Sequence, residues 1–107
     1  MIAIPEKGFY YHYKHSPGKD IYDYAYEILN IAHHTEIDGL DESAMVVYRP
    51  VYESSVYKLG KHWDARPLAS FMEPVTKDGK TFDRFQKITD PFLIQQFQEK
   101  ILEMYSK

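Results

Sequence analysis

Val46-Val47-Tyr48-Arg49-Pro50-Val51-Tyr52 is the stretch that decides the fold of this chain. β-branched and aromatic residues follow one another without a break, which suits a pleated, half-buried strand. The acidic, turn-prone Asp38-Gly39-Leu40-Asp41-Glu42-Ser43 precedes it and Glu53-Ser54-Ser55 follows it. One arginine stands at its centre. Arginine keeps its proton in proteins, so Arg49 requires a nearby acid or a bound anion.

Outward from this strand the chain reads as a small β-rich domain. Gly8-Phe9-Tyr10-Tyr11-His12-Tyr13-Lys14-His15 predicts a first strand, with Phe9, Tyr11 and Tyr13 on one face and Tyr10, His12 and Lys14 on the other. Ile2-Ala3-Ile4-Pro5 is a tail or a short edge strand, since proline blocks a longer one. Ser16-Pro17-Gly18-Lys19-Asp20 is a turn by composition. Ile21 to Glu36 carries two patterns at once. Tyr22, Tyr24, Tyr26 and Ile28 alternate as in a strand, whereas Ile21, Tyr24, Ala25, Ile28, Leu29 and Ala32 trace a helical stripe that Asp20 would cap. Tyr and Ile tip it towards strand, and a bulge around Asn30 would fit both patterns.

Val56 to Lys61 predicts a loop or short strand. Pro67 and Pro74 then limit the chain from Trp63 to Val75 to short strands and single helical turns at 67–71. Lys77-Asp78-Gly79-Lys80 is a hairpin turn, leading into a last strand from Phe82 to Ile88. Asp90 as cap and Pro91 in the first turn then start a helix over 90–106. Its apolar stripe is Leu93, Ile94, Phe97, Ile101, Leu102, Met104 and Tyr105.

Bulk properties narrow the function. The 107 residues predict one domain over 1–107, long enough to bury a single core. Ten tyrosines raise the expectation of sheet without choosing a function, because tyrosine serves sheet faces and binding surfaces alike. A net charge of −3 disfavours nucleic acid and anionic membrane surfaces as partners. The chain has no cysteine, which excludes disulfides, thiolate catalysis and cysteine-zinc sites. Met1 to Pro5 is too short for a signal-peptide core and no apolar run spans a bilayer, so a cytoplasmic location is expected.

Several ordered blocks resemble domain-of-unknown-function family 1653, a family of small bacterial domains. They are Tyr10-Tyr11-His12-Tyr13-Lys14, then Tyr26-Glu27-Ile28-Leu29 running to His33-His34-Thr35-Glu36, then Val46-Val47-Tyr48-Arg49 with Tyr52. Arg66-Pro67-Leu68, Phe71, Glu73, Asp78-Gly79 and Arg84-Phe85 complete the match, over about residues 8–88. Asp64 departs from the aromatic usual before the Arg-Pro pair, Ser16 to Tyr24 is longer than usual, and the helix after Asp90 lies outside the match. The resemblance implies a mainly β fold, a small SH3-type β roll or barrel of about five antiparallel strands. It places Ile21 to Glu36 in a strand and implies no activity, none being assigned to the family.

The candidate ligand-binding residues are Arg49, Arg66, His34, Glu36, Tyr48 and Trp63. On a strand, His34 and Glu36 share a face and could orient a base or hold a metal; the plainer reading is a polar strand end where His34 caps a turn. No metal and no cofactor are expected, for His12, His15 and His62 show no ligand spacing. Arg49 is expected to be held by an internal acid, Glu36 first, with Glu27 and Glu73 as the other choices. Arg66 is expected nearer to solvent, where its guanidinium meets a ligand carboxylate or phosphate. Tyrosines 22, 24, 26, 48, 52 and 57 either line a pocket or are simply sheet core and rim. The favoured reading is a non-enzymatic module for a small anionic ligand or peptide. Behind it stand an enzyme with His34 and Glu36 as acid-base groups, and an interaction domain using tyrosines or a C-terminal helix that closes a homodimer.

Overall fold

The structure, a computed structural model, describes residues 4–16, 18, 20–52 and 63–105. The expected segment at 56–61, with Tyr57 and His62, lies outside the described residues. In chain order the elements are β1 (Gly8–His12), β2 (Ala25–His33), α1 (Leu40–Ser43), β3 (Ala44–Pro50), β4 (Asp64–Pro67), α2 (Leu68–Met72), β5 (Val75–Lys77), β6 (Lys80–Phe82), β7 (Phe85–Lys87) and α3 (Pro91–Tyr105). Five strands form one antiparallel sheet in the order β4-β3-β2-β1-β7, and β5 and β6 form a separate hairpin.

The deciding stretch is the second strand from one edge. β3 begins two residues earlier than expected and stops at Pro50, with Val51 and Tyr52 in a bend. Ala44, Val46, Tyr48 and Pro50 are buried, and Met45, Val47 and Arg49 are half-buried on the opposite side. The alternation is the period-2 pattern of a strand covered on both faces to unequal depth.

The ambiguous segment resolves as turn, strand and bulge. Asp20 Oδ1 accepts from the Tyr22 amide at 2.9 Å, and the Asp23 amide donates to the Asp20 carbonyl at 3.0 Å. This delays the strand from Ile21 to Ala25. Within β2 the register shifts between Ile28 and Asn30, so Leu29 is the extra residue of a β-bulge. Ile28 and Ile31 therefore pack on the same core although they are three apart. That spacing is what imitates a helical stripe in the sequence.

The expected last strand divides in two. Lys80–Phe82 returns on β5 through a turn with Asp78 at φ 54° and Gly79 at φ 76°, the positive pair a type I′ hairpin demands. Phe85–Lys87 instead pairs with β1 at the far edge of the main sheet. The helix runs as expected, with Asp90 Oδ1 accepting from the Phe92 amide at 2.9 Å. Leu102 departs from the stripe: its side chain is exposed while Phe97, Ile101 and Met104 are buried.

The sheet has a core on each face. Tyr10, Ile28, Ala44, Val46, Tyr48 and Phe85 join Leu68 and Phe71 of α2 on the first face. Phe9, Ala25, Val51 and Ile88 join Phe97 and Ile101 of α3 on the second. The family resemblance implied a small β roll or barrel; the mainly β domain is as expected, and its sheet is not closed into a barrel, since among the described residues no ladder joins β4 to β7. It is nevertheless curled. In a flat sheet, four inter-strand spacings would hold the edge strands about 19 Å apart. Here Arg66 of β4 places its guanidinium carbon 5.2 Å from the centre of the Phe85 ring of β7. The two edges meet over the first face.

Candidate functional site

Arg49 and Arg66, which the sequence pairs as candidates, point to opposite faces. Directly opposed residues of a ladder share a face, and Arg49 stands opposite Glu27. Its Nε donates to Glu27 Oε1 at 2.8 Å, and its guanidinium lies 4.5 Å from the centre of the Tyr105 ring. Glu27 thus takes the role expected of Glu36, because it sits in register whereas Glu36 lies in the turn beyond β2. Arg49 is a structural ion pair under the C-terminal helix.

His34 and Glu36 do not share a strand face. Both are exposed in the turn after β2, where the Glu36 amide donates to His34 Nδ1 at 3.3 Å. The histidine caps a turn. Neither residue hydrogen-bonds or ion-pairs with Arg49 or Arg66 among the described residues. Tyr48 is buried core, with its ring edge-on to Tyr26 at 5.4 Å. Trp63, 62% exposed, stands just before β4.

Of the candidates, Arg66 is the one around which residues not singled out from the sequence gather. It is half-buried on the first face, opposite Val46, and among the described residues no carboxylate lies within ion-pair distance of it. Phe85 beneath it also meets His12, whose ring is edge-on at 5.0 Å. Tyr26 packs on Phe85 at 5.9 Å and joins its hydroxyl to that of Tyr52 at 2.7 Å. Burial, then the hydrogen bond to Tyr52, raises the Tyr26 phenol far above its ordinary range; burial raises Tyr52 as well. Both hydroxyls stay protonated at any biological pH.

His12 is the residue that sequence reading missed. Burial first, then the charges of Arg66, Lys14 and Arg84, lower its pKa to about 4. The Lys14 amide donates to its Nδ1 at 3.2 Å. Tyr24 lies nearly parallel to the imidazole at 5.8 Å and reaches that place through a left-handed backbone, φ 58°, which costs a non-glycine residue about 1 kcal/mol or more. At the start of β4, burial raises the carboxyl of Asp64. The only signals for His12 in the sequence were its place on the Tyr10-Tyr11-His12-Tyr13-Lys14 strand and a lysine two residues on.

The His12 environment has a measurable effect on stability. Unfolded histidine takes its proton near pH 6.5, and folded His12 does so only near 4. The unfolded state therefore binds more protons between these values, and stability falls as pH drops through that window. With solvent screening of a half-buried ring, the loss is on the order of 1–2 kcal/mol. Urea titrations at pH 7 and pH 4 measure it, and His12→Gln should remove most of the difference. An equal loss in His12→Gln would assign it to other groups.

The arrangement offers little for proton transfer at neutral pH. A histidine with so low a pKa is a weak base at neutral pH, and no second titrating group is hydrogen-bonded to it among the described residues. Among the described residues no group of three or more histidine, aspartate or glutamate side chains is placed to hold a metal ion. No helix among them is long and apolar enough to cross a membrane.

Residues 8–87 match the family described as protein of unknown function, DUF1653. A crystal structure of a DUF1653 protein from Bordetella bronchiseptica has a similar fold, with a TM-score of 0.55 and 26% identity over 78% of this chain and 86% of that one. No curated protein matches the chain.

Proposed function

The chain belongs to the DUF1653 family, of unknown function, and from its own site we propose that it is a non-enzymatic binding module for a small anionic ligand or an acidic peptide group. Arg66 receives the anion, and the surrounding aromatic side chains shape the place. The observation that carries this reading is the setting of Arg66, a half-buried residue whose guanidinium rests on Phe85 with no described carboxylate paired to it. A guanidinium fork fits a carboxylate or phosphate with two parallel hydrogen bonds, and partial burial strengthens them.

The acid-base alternative loses its geometric support, since His34 and Glu36 are exposed in a turn. The interaction alternative fares little better. The apolar stripe of α3 packs on Phe9 and Val51 of its own chain, and Tyr26, Tyr48 and Tyr52 are engaged with one another.

Arg66→Met separates a ligand site from a scaffold. Stability should stay within about 1 kcal/mol of wild type, because only an aromatic contact and no described ion pair is lost. In amide NMR spectra, phosphate or citrate should shift the signals of β4, Phe85 and His12 saturably in wild type and leave the variant unmoved. A much less stable Arg66→Met with no saturable shift in wild type would make Arg66 a structural cation and sink the proposal.

A further inference from the structure

We propose that His12 is the second donor of this site, so that the His12 Nε2–H and the Arg66 guanidinium together grip one oxyanion, a carboxylate or a phosphate, beside the Phe85 ring. The inference rests on the anion-binding reading of Arg66 and adds a specificity residue on a different strand.

The tautomer is the first argument. The Lys14 amide donates to His12 Nδ1 at 3.2 Å, so this nitrogen is the acceptor and the neutral ring carries its proton on Nε2. His12 is therefore a hydrogen-bond donor at neutral pH. Among the described residues nothing accepts from Nε2.

Position is the second argument. His12 and Arg66 come from β1 and β4, which are not neighbours in the sheet. Yet the imidazole lies 5.0 Å and the guanidinium carbon 5.2 Å from the centre of the same Phe85 ring. The imidazole is held in place, edge-on to Phe85 and stacked with Tyr24, whose carbonyl accepts from the His12 amide at 2.9 Å. A fixed donor is what a recognition site requires.

Charge is the third. Arg66 on β4, Lys14 just beyond β1 and Arg84 just before β7 all bear on the ring as positive charges. The other titratable groups around it are Tyr24, with Tyr13 at 4.5 Å, and His15 and Asp83 across a cavity of about 300 Å³ that His12 itself lines. Without an anion, burial first and then this surplus hold the imidazole neutral down to about pH 4. A bound oxyanion supplies the missing negative charge and should let the ring protonate at higher pH. The site would thus tighten on its ligand as pH falls. A halide would satisfy the charge but could not offer separate oxygens to donors on two strands.

The test follows the His12 ring by NMR through a pH titration of the full chain, alone and with saturating phosphate, citrate or chloride at matched ionic strength. The His12 midpoint should rise by about one pH unit or more with an oxyanion and little with chloride. The phosphate and citrate arms show which oxyanion the site prefers. His12→Phe should weaken oxyanion binding about tenfold, as befits loss of one charge-assisted donor. His12→Gln, which keeps a neutral donor, should recover part of it and serves should His12→Phe fail to fold. If Arg66 signals saturate while the His12 midpoint stays put, and His12→Phe binds as wild type, Arg66 acts alone and the role of His12 is overturned. If neither residue responds to any oxyanion, the binding reading falls with it.

Discussion

Phe97→Ala is expected to lower stability by about 3–5 kcal/mol, as large-to-small changes at fully buried aromatic positions do. Phe97 is 0% exposed and lies at the centre of the contact between α3 and the sheet. Its ring meets Phe9 at 5.4 Å, Tyr22 at 5.7 Å and Tyr11 at 5.9 Å. Truncation removes its share of buried apolar surface and opens a cavity between rigid rings that cannot close over it. A domain of this size has only about 5–15 kcal/mol in all, so the variant would be close to unfolding at body temperature. Urea denaturation checks the value. A loss under about 1 kcal/mol would mean that α3 does not hold the second face, against the burial of Phe97 between helix and sheet.

Arg49→Ala is the second large effect, expected at about 2–3 kcal/mol. Breaking a fully buried pair by removing one partner costs about 3–5 kcal/mol, because the other charge is stranded. The Arg49 and Glu27 side chains keep 17% and 23% of their exposure, which places this pair below that range. The guanidinium also lies over Tyr105, whose hydroxyl donates to the Pro50 carbonyl at 2.7 Å, so its loss loosens the last turn of α3 as well. Glu27→Gln, Arg49→Met and the double variant form a cycle that isolates the pair. A coupling of about 1 kcal/mol or more is expected, and one below about 0.5 kcal/mol would reduce the pair to a solvated contact.

These two variants probe the half of the core that the family match does not complete. Residues 8–87 supply the sheet, but the second face is covered by α3, which begins at Pro91. The helix was legible because its signals are local: a capping aspartate, a proline in the first turn and apolar residues at helical spacing. The central strand was legible for the same reason. The partner of Arg49 was not, because it depends on register. Glu27 stands opposite Arg49 only because the bulge at Leu29 lies beyond it on β2, and a one-residue slip would turn the carboxylate to the other face. His12 was harder still. Its neighbours Phe85, Tyr24 and Arg66 lie on β7, in the turn before β2 and on β4, and only the pairing of β1 with both its neighbours and the curl of the sheet bring them together. His34 and Glu36 misled because a strand was extended through a segment that the chain uses as a turn.

The meeting of β4 with β7 over Phe85 has a consequence for motion. Among the described residues no backbone ladder joins those edges, so the roll is fastened at that point by side chains: a guanidinium on a ring, and Phe71 stacked on Phe85 at 4.3 Å. Edge strands held this way open at less free energy than the central pair β2 and β3, and each opening takes Arg66 away from His12. A ligand that needs donors from both sides binds only the rolled state, and stabilises it in proportion to the logarithm of its concentration over its dissociation constant. An oxyanion in this site would then work as a clasp, turning a sheet that breathes at its seam into one that stays rolled.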